Sequence, residues 1–107
     1  MTESKPRPDH PDARGQIRNG ARHAVQATIR SGIALYRRQT CLPRLLPLLP
    51  SELADESEAA RRRILARLAC ALRAERMRGR AGHWTYDLNR HIALHQAYEG
   101  ERQRLRP

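Results

Sequence analysis

Hydrophobic positions recur with helical spacing in three stretches of this chain. In the first, Ile17, Ala21, Val25, Ile29, Ile33 and Tyr36 follow at intervals of four, four, four, four and three. That spacing keeps one side of a helix apolar and predicts a helix over about 12–38, with Asp12 as its cap. Gly15, Gly20 and Gly32 fall inside it. Each costs about 1 kcal/mol relative to Ala, so the first half is the weaker half. Gly32, beside the apolar stripe, offers a neighbouring helix close approach. In the second stretch Ala60, Ile64, Leu65, Leu68, Ala71 and Leu72 make the stripe of a helix expected over about 51–78. Ser51 is placed to cap it. Glu52, Asp55, Glu56 and Glu58 load its start, and Arg73, Arg76, Arg78 and Arg80 its end, as the helix dipole prefers. Asp55-x-x-Glu58 offers a second start, and Gly79 and Gly82 end it. In the third, Trp84, Leu88, His91 or Ile92, His95 and Tyr98 share one side of a helix expected over about 83–105, weakened at Gly100.

No run alternates as a strand over four clean residues, so the expected fold class is all-α. The arrangement expected is a three-helix antiparallel bundle, or a helical hairpin plus a third helix. Residues 1–11 carry Pro6, Pro8 and Pro11 among polar residues and are expected to form a disordered N-terminal tail. Residues 12–107 then form one helical domain.

The stretch "LPRLLPLLP", Leu42–Pro50, interrupts the pattern. Pro43, Pro47 and Pro50 suit neither a continuous helix nor a central strand, because proline lacks the backbone donor both require. Short turns fit, with Thr40 as a cap and Pro43–Leu46 as one helical turn at most. Leu42, Leu45, Leu46, Leu48 and Leu49 are expected to plug the end of the helices. "LPRLL" also matches a helical docking pattern, but leucine-rich connectors produce that match by chance, and the core reading outweighs it.

Composition adds one strong feature. The net charge is +10, and of 21 Lys and Arg only Lys5 is lysine. A positive surface of this strength favours polyanions at low salt. The near-total preference for arginine, with many alanines, also fits the codon usage of a GC-rich genome, which weakens a purely functional reading. With no Phe, the core must be aliphatic, and a chain of 107 residues makes it thin. Cys41 and Cys70 show no metal or disulfide spacing and suit a reducing compartment. The N-terminus has no apolar signal core, and no run nears the roughly 18 apolar residues of a membrane span. A soluble cytoplasmic protein is expected.

Candidate chemistry falls in two places. Between Arg61 and Arg80 eight arginines face one acid, Glu75. Arg62, Arg63, Arg67, Arg73 and Arg76 spread over the side away from the apolar stripe, where they are placed to track phosphates. The competing reading is a solvated, arginine-biased helix face. Aromatic content for base stacking is low, and the one Trp, Trp84, is expected not to lie near the arginine cluster. The second place is His83, Asp87, His91, His95 and Glu99, each four residues apart. His91 and His95 are a weak metal candidate, with Asp87 or Glu99 as oxygen donors. Two turn-spaced ligands leave such a site open, so histidines packed near the interior are the stronger expectation, and no cofactor is implied. Tyr86 and His91 are expected to pack beside Gly32 and Tyr36, with the Tyr36 hydroxyl as partner and Arg90 at the edge. Ser31, Ser51 and Ser57 show no nucleophile elbow, and no catalytic constellation emerges.

Two segments resemble a family of short, uncharacterised alphaproteobacterial proteins, a domain of unknown function. They are "IRSGIALYRRQTCLPRLL", with Gly32, Tyr36-Arg37-Arg38 and Arg44-Leu45-Leu46, and "GHWTYDLNRHIALHQAYEGER", with Gly82, Tyr86, Arg90-His91 and Glu101. Together they cover under half of the chain. The resemblance implies a small helical protein and no particular activity. Long helices, a thin core and the lack of a catalytic constellation instead make the expected function a non-enzymatic module that binds a protein partner or itself as a homo-oligomer. The alternative is nucleic-acid binding through the Arg61–Arg80 face.

Overall fold

The structure, a computed structural model, describes the backbone of residues 9–105 and the side chains of residues 20–105. Five helices follow one another: α1 (Asp9–Ile33), α2 (Arg38–Leu45), α3 (Pro50–Ala54), α4 (Glu58–Arg80) and α5 (Leu88–Arg102). The fold is all-α. Of the expected tail, residues 1–8 lie outside the described residues, and residues 9–11 form the first turn of α1.

The three expected helices differ from those observed at their ends, each for a local reason. The first stops at Ile33, not near 38, and a turn closed by Leu35 N to Gly32 O (3.2 Å) and Tyr36 N to Ile33 O (3.2 Å) follows it. Arg37, in extended conformation, then starts α2, so Thr40 lies inside that helix and is not its cap. α2 continues through Pro43 for eight residues, longer than the single turn expected. The proline cannot bond the Gln39 carbonyl, but Gln39 and Pro43 are both exposed, where water can satisfy it. The second helix is broken. Pro50 opens α3 and the Glu52 carboxylate accepts the Leu49 N–H (2.8 Å), so Ser51 is not the cap. Ser57 restarts the chain as α4, its hydroxyl accepting from Ala60 N (3.2 Å), while Asp55 Oδ1 accepts from Ser57 N (3.0 Å). α4 ends at Arg80 in a Schellman turn. Gly82 N donates to Gly79 O (3.2 Å), His83 N donates to Arg78 O (2.8 Å), and Gly82 takes φ +63°. The third helix begins at Leu88, not His83. Asp87 caps it by accepting from Asn89 N (2.9 Å) and Arg90 N (3.3 Å).

α5 is the hub on which α1, α2 and α4 all pack. α4 and α5 form an antiparallel hairpin, since Arg61 meets Glu101 and Glu75 meets Arg90. α1 runs parallel to α5, with Gln96 Nε2 donating to Thr28 O (3.1 Å) and Ala21 and Val25 beside Tyr86 and Leu88. The core is built by Leu42 and Leu45 of α2 with Leu46 at its end, Ile64, Leu68 and Leu72 of α4, and Leu94 and Ala97 of α5, with Tyr36. The three leucines of the "LPRLL" match are thus core residues. Leu48 packs against the cluster, whereas Leu49 is exposed and plugs nothing. Among the described residues of α1, only Ile29 is fully buried, and it stands outside that cluster. Trp84 and Leu88, expected on the buried side of the third helix, are exposed, because the chain there is a turn and a helix start.

Candidate functional site

Which charges are available depends on which are already used, and two buried carboxylates decide that. Glu101 is fully buried. Its Oε1 accepts from Arg61 Nη1 (2.7 Å), its Oε2 accepts from the Tyr36 hydroxyl (2.7 Å), and Arg38 Nε lies 3.5 Å away. Arg38 Nη1 reaches across to the carbonyls of Leu53 (3.2 Å) and Asp55 (2.7 Å), tying α2 to the end of α3. Burial, and then the bond to Glu101, push the Tyr36 hydroxyl far above its ordinary pKa, so it serves here as a donor only. The Tyr36 ring reaches this place because residue 100 is glycine. A Cβ there would meet Tyr36 Cδ2 at 2.5 Å.

Glu75, also buried, works at the other end of the α4–α5 hairpin. It takes Arg78 Nη1 (2.9 Å) and Arg90 Nε (3.5 Å), and Arg90 Nη2 donates to the Leu45 carbonyl (3.2 Å). Of the positions that carry the family resemblance, Tyr36, Arg38, Arg90 and Glu101 therefore serve these two ion clusters. Arg37 is exposed and, among the described residues, bonds only the nearby carbonyls of Ala34 and Tyr36.

The arginines of α4 now divide. Arg61 is buried against Glu101, Arg62 pairs with Glu58 (2.9 Å), and Arg67 donates to the Pro47 carbonyl (2.6 Å) beside Glu52 (3.6 Å). Arg63 is exposed near Asp55, whose carboxyl is held below its ordinary range first by its bonds from Ser57 and then by nearby arginines. Arg73, Arg76 and Arg80 are exposed and have no carboxylate within ion-pair distance among the described residues. They are spaced three and four apart and share one stripe of the helix. The sequence grouped Arg62, Arg63, Arg67, Arg73 and Arg76 as one face, but the acids gathered at the α3–α4 junction claim Arg62 and Arg67.

Next to Arg76 and Arg80 lies a shallow cleft of about 350 Å³ formed with Gly79, Tyr86 and His91. Tyr86 and His91 are half-buried as expected, but beside Ala21 and Val25 of α1, not beside Gly32 and Tyr36. Gly32 instead admits the Gln96 amide. The partner of His91 is the Tyr86 hydroxyl, 2.8 Å from Nδ1. Arg76 Nη2 stands 3.4 Å from His95 Nε2, and the His91 and His95 rings stack at 5.5 Å. Burial, and then the positive charge of Arg76, hold both histidines below their ordinary pKa. Asp87 and Glu99, the oxygen donors considered for a metal, are engaged as the α5 cap and with Arg102 (2.6 Å). Among the described residues no third His, Cys, Asp or Glu joins His91 and His95 as a ligand set.

The residue that sequence reasoning missed is Trp84, 88% exposed on the turn that continues directly from Arg80. Its signal was present in Gly82, which marks a turn and so removes Trp84 from any helical stripe. No helix among the described residues is long and apolar enough to cross a membrane. No family model, curated protein or solved structure matches this chain.

Proposed function

We propose that this chain is a binding module and not a catalyst, and that it holds nucleic acid through Arg73, Arg76 and Arg80. The observation that carries this reading is the division of the α4 arginines: these three are exposed, share one stripe and have no carboxylate partner among the described residues. A guanidinium whose charge no internal carboxylate neutralises is free to displace counterions from phosphate. The chain's net charge of +10 steers polyanions toward the stripe. The test is fluorescence anisotropy with labelled strands and duplexes of roughly twenty nucleotides, across a salt series. Three phosphate contacts give a log–log salt slope of roughly −2 for single strands and −3 for duplexes. Reversing Arg73, Arg76 and Arg80 to Glu should abolish binding, while Arg62→Glu should weaken it far less. Absence of salt-dependent binding, or greater sensitivity to Arg62 than to the stripe, overturns the reading.

A second reading, a protein partner, is favoured by the groove between α1 and the start of α5. Ala21, Val25, Tyr86 and Leu88 line it, and Arg22 and His23 stand at its rim. Charge complementarity selects an amphipathic helix with acidic flanks over a second copy of this basic chain. Titration with a synthetic leucine-striped, glutamate-flanked helix should give binding lost in Val25→Glu. Concentration-dependent sedimentation of the chain alone would instead favour the homo-oligomer.

A further inference from the structure

We propose that Trp84 is a stacking platform for an unpaired base, which makes the chain a binder of single-stranded nucleic acid. This rests on the phosphate-binding reading of the arginine stripe and specifies its ligand.

Trp84 is the only tryptophan in the chain, and it is 88% exposed. A large aromatic surface left in water forgoes the stabilisation that burial would supply. Here the exposure is imposed by a tightly bonded turn. The Schellman bonds from Gly82 N (3.2 Å) and His83 N (2.8 Å) anchor one side of it to the end of α4. On the other side Tyr86 N donates to His83 O (3.0 Å), and Thr85 N donates to His83 Nδ1 (3.2 Å). The indole is thus presented on a hydrogen-bonded platform with its neighbours already ordered. Less conformational entropy is lost when a ligand arrives. The His83 ring stacks with the indole at 5.8 Å and 23°, so one indole face is attended by a ring within the chain.

Trp84 follows Arg80 by four residues, and the stripe Arg73, Arg76, Arg80 leads along α4 toward that turn. At 1.5 Å rise per residue the stripe covers roughly 10 Å of helix axis, room for adjacent phosphates of one strand. A basic track that ends in an exposed ring is the combination that holds single strands: charge follows the backbone and the ring takes a base. In a duplex the base faces are already stacked on one another, so the indole would have nothing to take. The arrangement therefore discriminates by base accessibility and carries no sequence code, because every base has a stackable face.

The experiment uses the intact protein, with affinity read from the anisotropy of labelled strands and contact at Trp84 read from the intrinsic fluorescence of its one tryptophan. Three probes of equal length are titrated at low salt: oligo-dT, an abasic strand with the same phosphates and no bases, and a duplex. Oligo-dT should quench Trp84 and bind roughly 5- to 150-fold more tightly than the abasic strand, the range expected for stacking one base. Trp84→Ala should bring oligo-dT down to the abasic affinity, leaving abasic binding and the helical circular-dichroism spectrum unchanged. Trp84→Phe should retain most of the preference. Equal binding of oligo-dT and the abasic strand, with both lost on reversal of the arginine stripe, overturns the stacking proposal and leaves the phosphate reading standing. Failure of all three probes removes both. Quenching or a blue shift with phosphatidylglycerol vesicles, and with no oligonucleotide, assigns Trp84 to a lipid headgroup layer and overturns the proposal.

Discussion

The two ends of the α4–α5 hairpin contain the same residue types and use them differently. At one end Glu101 is enclosed by Arg61 of α4 and by Tyr36 and Arg38 at the start of α2, so its partners come from two distant segments of the chain. At the other end Glu75 takes Arg78 and Arg90, and Arg73, Arg76 and Arg80 remain exposed without a carboxylate partner among the described residues. An arginine on this helix is structural where an acid, on α4 itself or on a neighbouring element, lies within reach, and available for a ligand where none does. Counting charges along α4 does not separate these roles. Locating the acids does.

The largest effect expected follows from the enclosed end. Glu101→Ala leaves Arg61 and Arg38 buried without their shared counter-charge and removes the acceptor of the Tyr36 hydroxyl. Breaking a buried ion pair from one side costs about 3–5 kcal/mol, a large fraction of the stability of a domain this small. Urea unfolding followed by circular dichroism should show it, while Arg80→Ala should leave the midpoint within error. A midpoint for Glu101→Ala close to that of the parent would mean that the two ends do not differ as described.

A smaller effect sharpens the same comparison through two glycines. In an open helix, Gly→Ala stabilises by about 1 kcal/mol. At Gly100 the new Cβ would meet the buried Tyr36 ring at 2.5 Å, and that ring is held by Glu101. Overpacking of this kind costs about 1–3 kcal/mol, so Gly100→Ala should destabilise on balance. At Gly79 the new Cβ meets the Tyr86 ring at 3.1 Å. Tyr86 is half-buried on a turn and can yield by a few tenths of an ångström. Gly79→Ala should then lie within about 0.5 kcal/mol of the parent, the helix-propensity gain offsetting the displacement. Equal losses at both sites would show the Glu75 end to be as rigidly packed as the Glu101 end.

These contrasts explain what could be read from the sequence. The stripe Ala60, Ile64, Leu65, Leu68, Ala71, Leu72 was legible because it is long and periodic, and all of it is buried except the half-buried Ala71. The leucines of α2 were legible as core because prolines excluded other uses. The third helix was misread because His83–Asp87 continues an apparent periodicity through a turn, and only the capping role of Asp87 reveals the break. Glu101 and Glu75 look like ordinary surface acids in sequence. Their burial comes from partners forty and fifteen residues away, Arg61 and Arg90, which no local pattern reports.

The smallest effect expected is a pH dependence confined to the Glu75 end. His91 and His95 are held below the ordinary histidine value of 6.5, by burial and then by Arg76, against weaker opposing pulls from Glu75 and Glu99 respectively. His23 and Arg22 of α1 line the groove that His91 also lines. With a lower pKa in the folded chain, the unfolded chain binds more protons as the pH falls through 6.5. The stability these rings contribute is therefore complete above that value and is lost as the pH drops through the folded pKa. Asp55 acts in the same direction, but from its ordinary value of 3.8 downward, so the two windows are separate. Both rings are only half-buried, and solvent screening keeps the effect below that of either core substitution. Thermal melts between roughly pH 5 and 8 should show a loss on the acid side that shrinks in the His91→Gln, His95→Gln protein. Oligonucleotide affinity should move the opposite way. A phosphate beside Arg76 stabilises the charged imidazoles, so binding tightens over the interval in which the free fold weakens. A melt that is flat with pH, or an affinity that falls together with stability, would separate the histidines from the arginine stripe.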